Sequence, residues 1–279
     1  MTNAKIAVNI KYVIQFSEVY MFFTPMLTYL SDLEMHNNRT WFHETHTRYE
    51  KVRKDFETFT AAIAQVVCEV CPFMADRVRS LPTKRFIYRT ARDMRYAAGK
   101  PPYKTWFACA VGDEGREKTA MSYYVQIAPQ NRSEICVGVW FTDNRKVTDR
   151  VRRYISEHAA EFAQIMADEQ VRSWFCGDHV SRTPKGFDAN DPMIEYIKYK
   201  QWMLACPIKD EELTDMDSVV AYCRAVFEKM EAFRAFFDRA VRFARLPEQE
   251  GESEDEAAPV AEEPTVFWPT AKSADEWDF

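Results

Sequence analysis

Apolar residues recur at two different spacings along the chain, and the change of spacing separates helical from extended segments. Between residues 22 and 67 they recur every three or four positions, and Asn37–Asn38 interrupts the pattern with residues that end one helix and cap the next. This pattern predicts one helix over 22–33 and a second over 39–67. Between residues 84 and 141 the spacing falls to two, which is typical of strands.

The segment with a period of two contains four runs rich in aromatic and β-branched residues, and each run predicts a strand. The runs are 85–96, 106–111, 122–128 and 135–141. Turn residues separate them at Gly112–Gly115 and Pro129–Asn131, and turns this short join antiparallel neighbours. We therefore expect an antiparallel meander.

Helical spacing returns after the meander. It predicts helices over 146–169 and 218–245, a short helix capped by Asp191–Pro192, and a strand over 201–206. Helices from both ends of the chain, grouped around a central antiparallel sheet, make an α+β fold. The sequence thus predicts one α+β domain over residues 22–245.

The two ends of the chain differ in composition and pattern from the domain predicted over residues 22–245. Residues 1–20 include the apolar run Ile6–Phe16, which lacks a clean period and fits either an extension upstream of a start at Met21 or a short edge strand. Residues 247–279 hold eleven Asp or Glu and one Lys, a net charge of −10. Such a segment buries too little apolar surface to offset the entropy of ordering, so we expect a disordered acidic tail.

The amino-acid composition indicates which broad class of protein the chain belongs to. The chain of 279 residues is 47% apolar but has no run of 18 apolar residues, so it has enough material for a core and no membrane-spanning segment. Its seven cysteines are an odd number, and we expect reduced thiols without disulfides. With no secretory signal pattern, we expect a cytoplasmic protein that does not bind a membrane. Residues 1–246 carry a net charge of +4.

The densest polar segment lies between residues 85 and 104. Its charged residues are six cations and one acid: Arg85, Arg89, Arg92, Asp93, Arg95, Lys100 and Lys104. So many like charges repel one another unless an anion compensates them, and the arginine fork suits phosphate or carboxylate. We predict an anion-binding site whose residues are Arg89, Arg92, Asp93, Arg95, Lys100, Tyr103 and Lys104, joined by Arg182 and Lys185. The alternative is a structural network of ion pairs with carboxylates elsewhere in the fold.

Two residues of this segment have candidate roles in catalysis. Asp93, between arginines, would be an ionised orienting group, and Tyr103, flanked by lysines, would be the group that transfers a proton. Packing is the simpler role for Tyr103. The sequence contains no Gly-rich phosphate loop, nucleophile elbow or dinucleotide fingerprint, so it predicts no cofactor and no defined catalytic residue, and leaves open whether the protein is an enzyme.

Two histidines and two cysteines raise the question of a metal site. His43 and His46 lie near the start of the helix predicted over 39–67, and Cys68 and Cys71 lie at its end. Helical rise separates the two pairs by about 30 Å, which is too far for one tetrahedral site. We expect histidines that face solvent, buried thiols and no metal.

Three short motifs occur in a fixed order along the chain. They are R-D-M-R-Y at 92–96, K-P-P-Y-K-T at 100–105 and P-K-G-F-D at 184–188. Together with Asn37–Asn38, Trp41–Phe42 and Tyr49, they resemble the signature of domain-of-unknown-function family 2461 over about residues 22–245. The resemblance implies a common fold and the location of a site, but no activity, cofactor or catalytic residue.

Three classes of function fit these observations. The first is a module that binds phosphate or nucleic acid, with neighbouring aromatic residues stacking on bases. The second is an enzyme acting on a small phosphorylated or carboxylated substrate. The third is an adaptor whose tail recruits a protein partner through Trp277 and Phe279, because the tail ends like the partner-docking tip of bacterial single-stranded-DNA-binding proteins. Otherwise the tail is a solubilising segment, or it folds back on the basic body and competes with an anionic ligand.

Overall fold

A computed structural model of the protein describes residues 22–95, 97, 99–116, 121–139 and 145–246. The expectations for residues 1–20 and for the tail, 247–279, lie outside these described residues, and so do those for Trp277 and Phe279. Tyr96, which ends the first of the three motifs, lies outside them as well.

Nine α-helices and five strands occur within the described residues. The helices are α1 Thr24–Met35, α2 Arg39–Glu44, α3 His46–Val70, α4 Ala75–Ser80, α5 Arg145–Glu157, α6 Ala159–Met166, α7 Glu169–Trp174, α8 Ile194–Ile197 and α9 Met216–Arg245. The strands are β1 Phe107–Val111, β2 Tyr123–Ile127, β3 Ser133–Val139, β4 Phe175–Cys176 and β5 Trp202–Ile208. The prediction of an α+β fold is confirmed.

The five strands form one antiparallel sheet in the order β1-β2-β3-β5-β4. The first three are the expected meander, in which Phe107 lies opposite Ile127 and Val125 lies opposite Ile135. The strand β5 joins the meander on the far side of β3, so β1 and β4 are the two edges of the sheet.

Helices from the two ends of the chain cover one face of the sheet. The aromatic ring of Phe56 in α3 lies 5.4 Å from that of Phe107, and Phe227 in α9 lies 4.5 Å from Tyr123. Burial of such a side chain contributes about 1.5–3 kcal/mol, so this face carries most of the hydrophobic stabilisation. A smaller cluster on the opposite face contains no residue of the described helices. Its members are Trp106, Ala108, Ala110, Tyr124, Ala128, Cys136, Met203 and Ala205.

The strand predicted over residues 85–96 is wrong. Residues Thr83–Arg85 form a 3-10 turn, and the following segment makes only isolated bridges, from Ile87 to Cys109 and from Ala91 to Tyr103. Pairing with β1 is confined to two backbone hydrogen bonds, from the Tyr88 N–H to the Ala108 carbonyl oxygen at 3.0 Å and from the Ala110 N–H to the Phe86 carbonyl oxygen at 2.8 Å. On the other side of the segment, the Nη1 of Arg116 donates hydrogen bonds to three backbone carbonyl groups. The acceptors belong to Lys84, Arg85 and Ile87, at 3.2, 3.3 and 3.1 Å.

Two predicted helices are divided, because polar side chains bond to the backbone and compete with helical hydrogen bonds. The helix expected over 39–67 breaks at Thr45, whose hydroxyl donates to the carbonyl oxygen of Trp41 at 2.9 Å. The helix expected over 146–169 becomes α5 and α6, and α7 begins at Glu169, where the predicted helix ends. Asp168 caps the last of these by accepting hydrogen bonds from two backbone N–H groups.

All seven cysteines lie in the described ranges as free thiols, and six of them are buried. Among the described residues, no single helix is long and apolar enough to cross a membrane. The helix His46–Val70 and the segment Pro72–Ser80 meet the length and composition criteria only as a pair, bent by 115°.

An ion pair with a buried arginine lies within α9 and contacts the start of β2. Arg234 is 4% exposed, and its Nε and Nη2 donate to the two carboxylate oxygens of Glu231 at 2.7 and 2.9 Å. The hydroxyl of Tyr123, the first residue of β2, donates to the same carboxylate. The Glu231 side chain is 28% exposed, so removing Arg234 leaves a partly buried carboxylate without two charged hydrogen bonds.

We expect Arg234→Ala to lower the free energy of unfolding by about 1.5–3 kcal/mol, because Glu231 loses two charged hydrogen bonds. Arg224→Ala in the same helix is the matched control. Its ion pair with Glu69 is exposed, so its loss should cost less than about 1 kcal/mol. Urea denaturation of both variants measures the difference, and equal losses would contradict this account of the pair between Arg234 and Glu231.

Candidate anion-binding site

The first two motifs of the chain pair with each other as a short ribbon made of residues 90–92 and 102–104, which we call the motif ribbon. The Lys104 N–H donates to the Thr90 carbonyl oxygen at 2.8 Å, and the Arg92 N–H donates to the Pro102 carbonyl oxygen at 2.9 Å. Side chains alternate between the two sides of paired extended backbones. The pairing therefore places Arg92 and Lys104 on one side of the ribbon and Tyr103 on the other.

Tyr103 anchors the motif ribbon to the first two helices. Its ring stacks on Phe42, with ring centroids 3.9 Å apart and an interplanar angle of 10°. The side chain of Asn37 accepts a hydrogen bond from the Tyr103 N–H at 3.0 Å and donates one to its carbonyl oxygen at 2.9 Å. These contacts give Tyr103 a packing role, and they explain why asparagine and an aromatic residue accompany the motif.

Lys104 is a buried cation that no described carboxylate neutralises. The residue is only 8% exposed. Its ammonium lies 4.6 Å from the ring centroid of Trp106 and 5.6 Å from that of Tyr88. Burial, and secondarily the charges of Arg92 and Arg116, lower the pKa of Lys104 to about 8.

The other charged residues of the first motif have different environments. The Nε of Arg92 is buried and has no hydrogen-bond partner among the described residues, and burial lowers the pKa of this guanidinium. Asp93 and Arg95 are exposed and form a forked ion pair, with N···O distances of 3.0 and 2.6 Å. Hydrogen bonds from Arg95 lower the pKa of Asp93 to about 2, so this carboxylate is ionised and already compensated.

A cavity of about 460 Å³, which we call the cation groove, opens between α3 and the segment 84–89. Its lining residues are His46, Tyr49, Glu50, Arg53, Lys54, Glu57, Lys84, Ile87, Arg89 and Arg116. Six of these come from one face of α3 at helical spacing. The Tyr49 hydroxyl lies 3.2 Å from the Thr90 hydroxyl, which fixes the motif ribbon beside the groove.

Arg53 projects from the middle of α3 into this cavity. Its Nη1 is buried and has no hydrogen-bond partner in the part of the chain that the structure describes. Burial lowers the pKa of the guanidinium, because the charged form loses solvation. Arg53 therefore lines the cavity while one of its nitrogens is a buried, unsatisfied donor.

The groove carries an excess of positive charge. Its cations are Arg53, Lys54, Lys84, Arg89 and Arg116, against the two carboxylates of Glu50 and Glu57. None of the five cations forms an ion pair with a carboxylate of the described residues. Within those residues, a structural ion-pair network does not explain the groove.

The structure brings together some of the predicted site residues and separates others. Arg89 lines the cation groove, while Arg92 and Lys104 lie on the motif ribbon beside it; Lys100 is half-buried in the loop that joins the two halves of the ribbon. Arg182 and Lys185 are exposed in the loop after β4. That loop leaves the sheet at β4, the edge opposite β1, and neither residue lines the cation groove.

Sequence reasoning missed most of the groove. Arg53, Lys54, Lys84 and Arg116 were not predicted as site residues. The polar stripe of α3, next to its apolar stripe, was a detectable signal, because positions 46, 49, 50, 53, 54 and 57 repeat at helical spacing. Arg116 carried no such signal. Within the described residues, no three His, Cys, Asp or Glu side chains are grouped closely enough to hold a metal ion.

The lowered pKa of Lys104 makes the stability of the protein depend on pH. Lysine binds its proton with a pKa of 10.5 in the unfolded chain and about 8 in the fold, so between these values the unfolded state binds more protons. Stability should therefore rise with pH. Between pH 7.5 and 9.5 we expect wild type to gain up to about 2 kcal/mol relative to Lys104→Met in urea denaturation. Lys100→Met is the control, and a flat difference for Lys104→Met would contradict the burial of its charge.

Comparison with known proteins places the chain in a family. A family model described as "Conserved hypothetical protein (DUF2461)" matches residues 25–236. No curated protein and no solved structure matches the chain. The matched region includes the motif ribbon and every residue of the cation groove. The protein therefore belongs to domain-of-unknown-function family 2461.

Proposed function

We propose that the cation groove binds the phosphate group of an anionic ligand. The observation that carries this proposal is the buried, unpartnered Nη1 of Arg53. A buried donor without an acceptor costs about 1–3 kcal/mol, and a bound anion would supply the missing acceptor.

The surroundings of Arg53 support the same ligand chemistry. Five cations and two carboxylates leave a surplus of three positive charges around one cavity. Arginine forks bind phosphate through two parallel hydrogen bonds, and Arg89 adds a second such group. Arg116, whose Nη1 donates to backbone carbonyl groups, adds positive charge. The volume of about 460 Å³ falls within the range of about 300–1,000 Å³ that small-molecule sites occupy.

A small ligand fits these features better than a nucleic-acid strand. Stacking of successive bases requires accessible aromatic faces. Trp106 is buried beside Lys104, and Tyr103 already stacks on Phe42. The cations also surround a single cavity rather than following an extended track. Whether a reaction follows binding is a separate question, and the proposal includes no catalytic step.

We expect wild-type protein to bind pyrophosphate, and Arg53→Met to weaken that binding by about 10- to 100-fold, as the loss of a charged hydrogen bond does. Lys185→Met removes an exposed cation that does not line the groove and should leave the affinity unchanged. Isothermal titration calorimetry at low salt measures all three proteins. Because Arg53 has an unsatisfied buried donor, its replacement by methionine should not destabilise the fold.

Two results would reject the proposal. One is a wild-type protein that does not bind pyrophosphate, with thermal unfolding unchanged by the ligand. The other is an equal loss of affinity in Lys185→Met and Arg53→Met, because that would indicate diffuse attraction to the basic surface and not a defined site.

The acidic tail is proposed to compete with the anion for the groove. Residues 247–279 carry a net charge of −10, while the groove has cations without described partners. We expect deletion of 247–279 to tighten pyrophosphate binding several-fold at low salt, with a smaller effect at 0.5 M salt because of screening. Unchanged affinity at low salt would show that the tail does not compete.

The alternative role of the tail, as a docking segment for a protein partner, is tested by a different variant. Phe279→Ala should abolish capture of such a partner and leave the affinity for pyrophosphate unchanged. The two roles thus give opposite patterns in the same two assays.

A further inference from the structure

The wall of the cation groove that α3 provides changes its chemistry along the helix. His46 and Tyr49 form an aromatic end, Arg53 and Lys54 follow as cations, and Glu57 lies one turn beyond Arg53. A bare phosphate ion would use only the cations. The residues at the ends of the groove therefore indicate which other chemical groups the ligand contains.

The aromatic end of the groove provides a surface for a flat ring. The rings of His46 and Tyr49 lie 5.9 Å apart at an angle of 27°, and Tyr49 is itself supported by Phe42 at 4.8 Å. The side chain of His46 is 53% exposed, so part of its ring remains accessible to a ligand. Aromatic rings in such positions stack on planar ligand groups.

The distance between the aromatic end of the groove and Arg53 suits a ligand that carries both a flat ring and a phosphate group. His46 and Arg53 are seven residues apart, which corresponds to about 10 Å along a helix. This separation is comparable with the distance from the base to the phosphate of a nucleoside monophosphate. A ligand of that length would contact the aromatic end and the Arg53 guanidinium at the same time.

The carboxylates of the groove indicate a ligand with hydrogen-bond donors. Glu50 lies 3.3 Å from the Nε2 of His46, whereas Glu57 forms no ion pair within the described residues. Carboxylates repel phosphate but accept hydrogen bonds from sugar hydroxyl and base amino groups. Their presence among five cations fits a ligand that combines an anionic group with neutral donors.

We propose that the ligand of the cation groove is a nucleoside phosphate, with its base against His46 and Tyr49 and its phosphate on Arg53. This inference rests on the proposed function, because it adds the chemical class of the ligand to the phosphate site. A sugar phosphate without a base would use the cations and Glu57 but leave the aromatic end empty.

The experiment compares the affinities of three probes for the full-length protein by calorimetry at one ionic strength. The probes are adenosine 5′-monophosphate, ribose 5-phosphate and inorganic phosphate. We expect adenosine 5′-monophosphate to bind at least about fivefold more tightly than ribose 5-phosphate, as stacking of one base provides. Inorganic phosphate should bind most weakly.

Two histidine variants assign that difference to the aromatic end. His46→Ala should remove most of the advantage of the nucleotide over ribose 5-phosphate and leave the affinity for ribose 5-phosphate unchanged. His43→Ala is the matched control, because His43 is an exposed histidine one turn away that does not line the groove. Arg53→Met should weaken the binding of both phosphorylated probes.

Each contrary outcome has a distinct meaning. Equal affinities of the wild type for the nucleotide and the sugar phosphate would overturn the inference and leave phosphate binding intact. An equal loss of nucleotide affinity in His46→Ala and His43→Ala would also overturn it. If none of the three probes binds, the proposed function itself fails.

Discussion

The hydrogen bonds from Arg116 to the backbone of residues 84–87 are the contacts on which the rest of the site depends. One guanidinium nitrogen binds three carbonyl oxygens of this segment. The segment pairs with β1 only around Ile87, and it borders α3 with Lys84 and Arg89 in the wall of a cavity. The same contacts bring the charge of Arg116 close enough to lower the pKa of Lys104.

The cation groove and the motif ribbon keep positive charges buried, which lowers the free energy of unfolding. Burial lowers the pKa of Arg53, Arg92 and Lys104, so each of these groups is less stable in its charged form than it would be in water. The aromatic core between α3, α9 and the sheet offsets that cost. Elsewhere the fold neutralises buried charge, as Glu231 does for Arg234. The contrast supports a functional reason for the uncompensated cations.

The site could be predicted only in part, because its residues come from separate segments. Arg89, Arg92 and Lys104 could be grouped from the sequence because they are close in it. Arg53 and Arg116 reach the groove that Arg89 lines from a helix and a turn, and their distance along the chain hides their proximity. Arg182 and Lys185 were grouped with the motif by charge, and neither lines the groove.

The sequence by itself determined the fold class, because apolar periodicity records which side of each helix and strand faces the core, and that relation is local. It also determined the family, through motifs that need no knowledge of contacts. Only the tertiary structure decided how much of residues 84–95 pairs as a strand, since the hydrogen bonds of this segment are made with β1, with residues 102–104 and with Arg116, which lie elsewhere in the chain. The same is true of the groove, because which cations lack a carboxylate depends on neighbours brought together by folding.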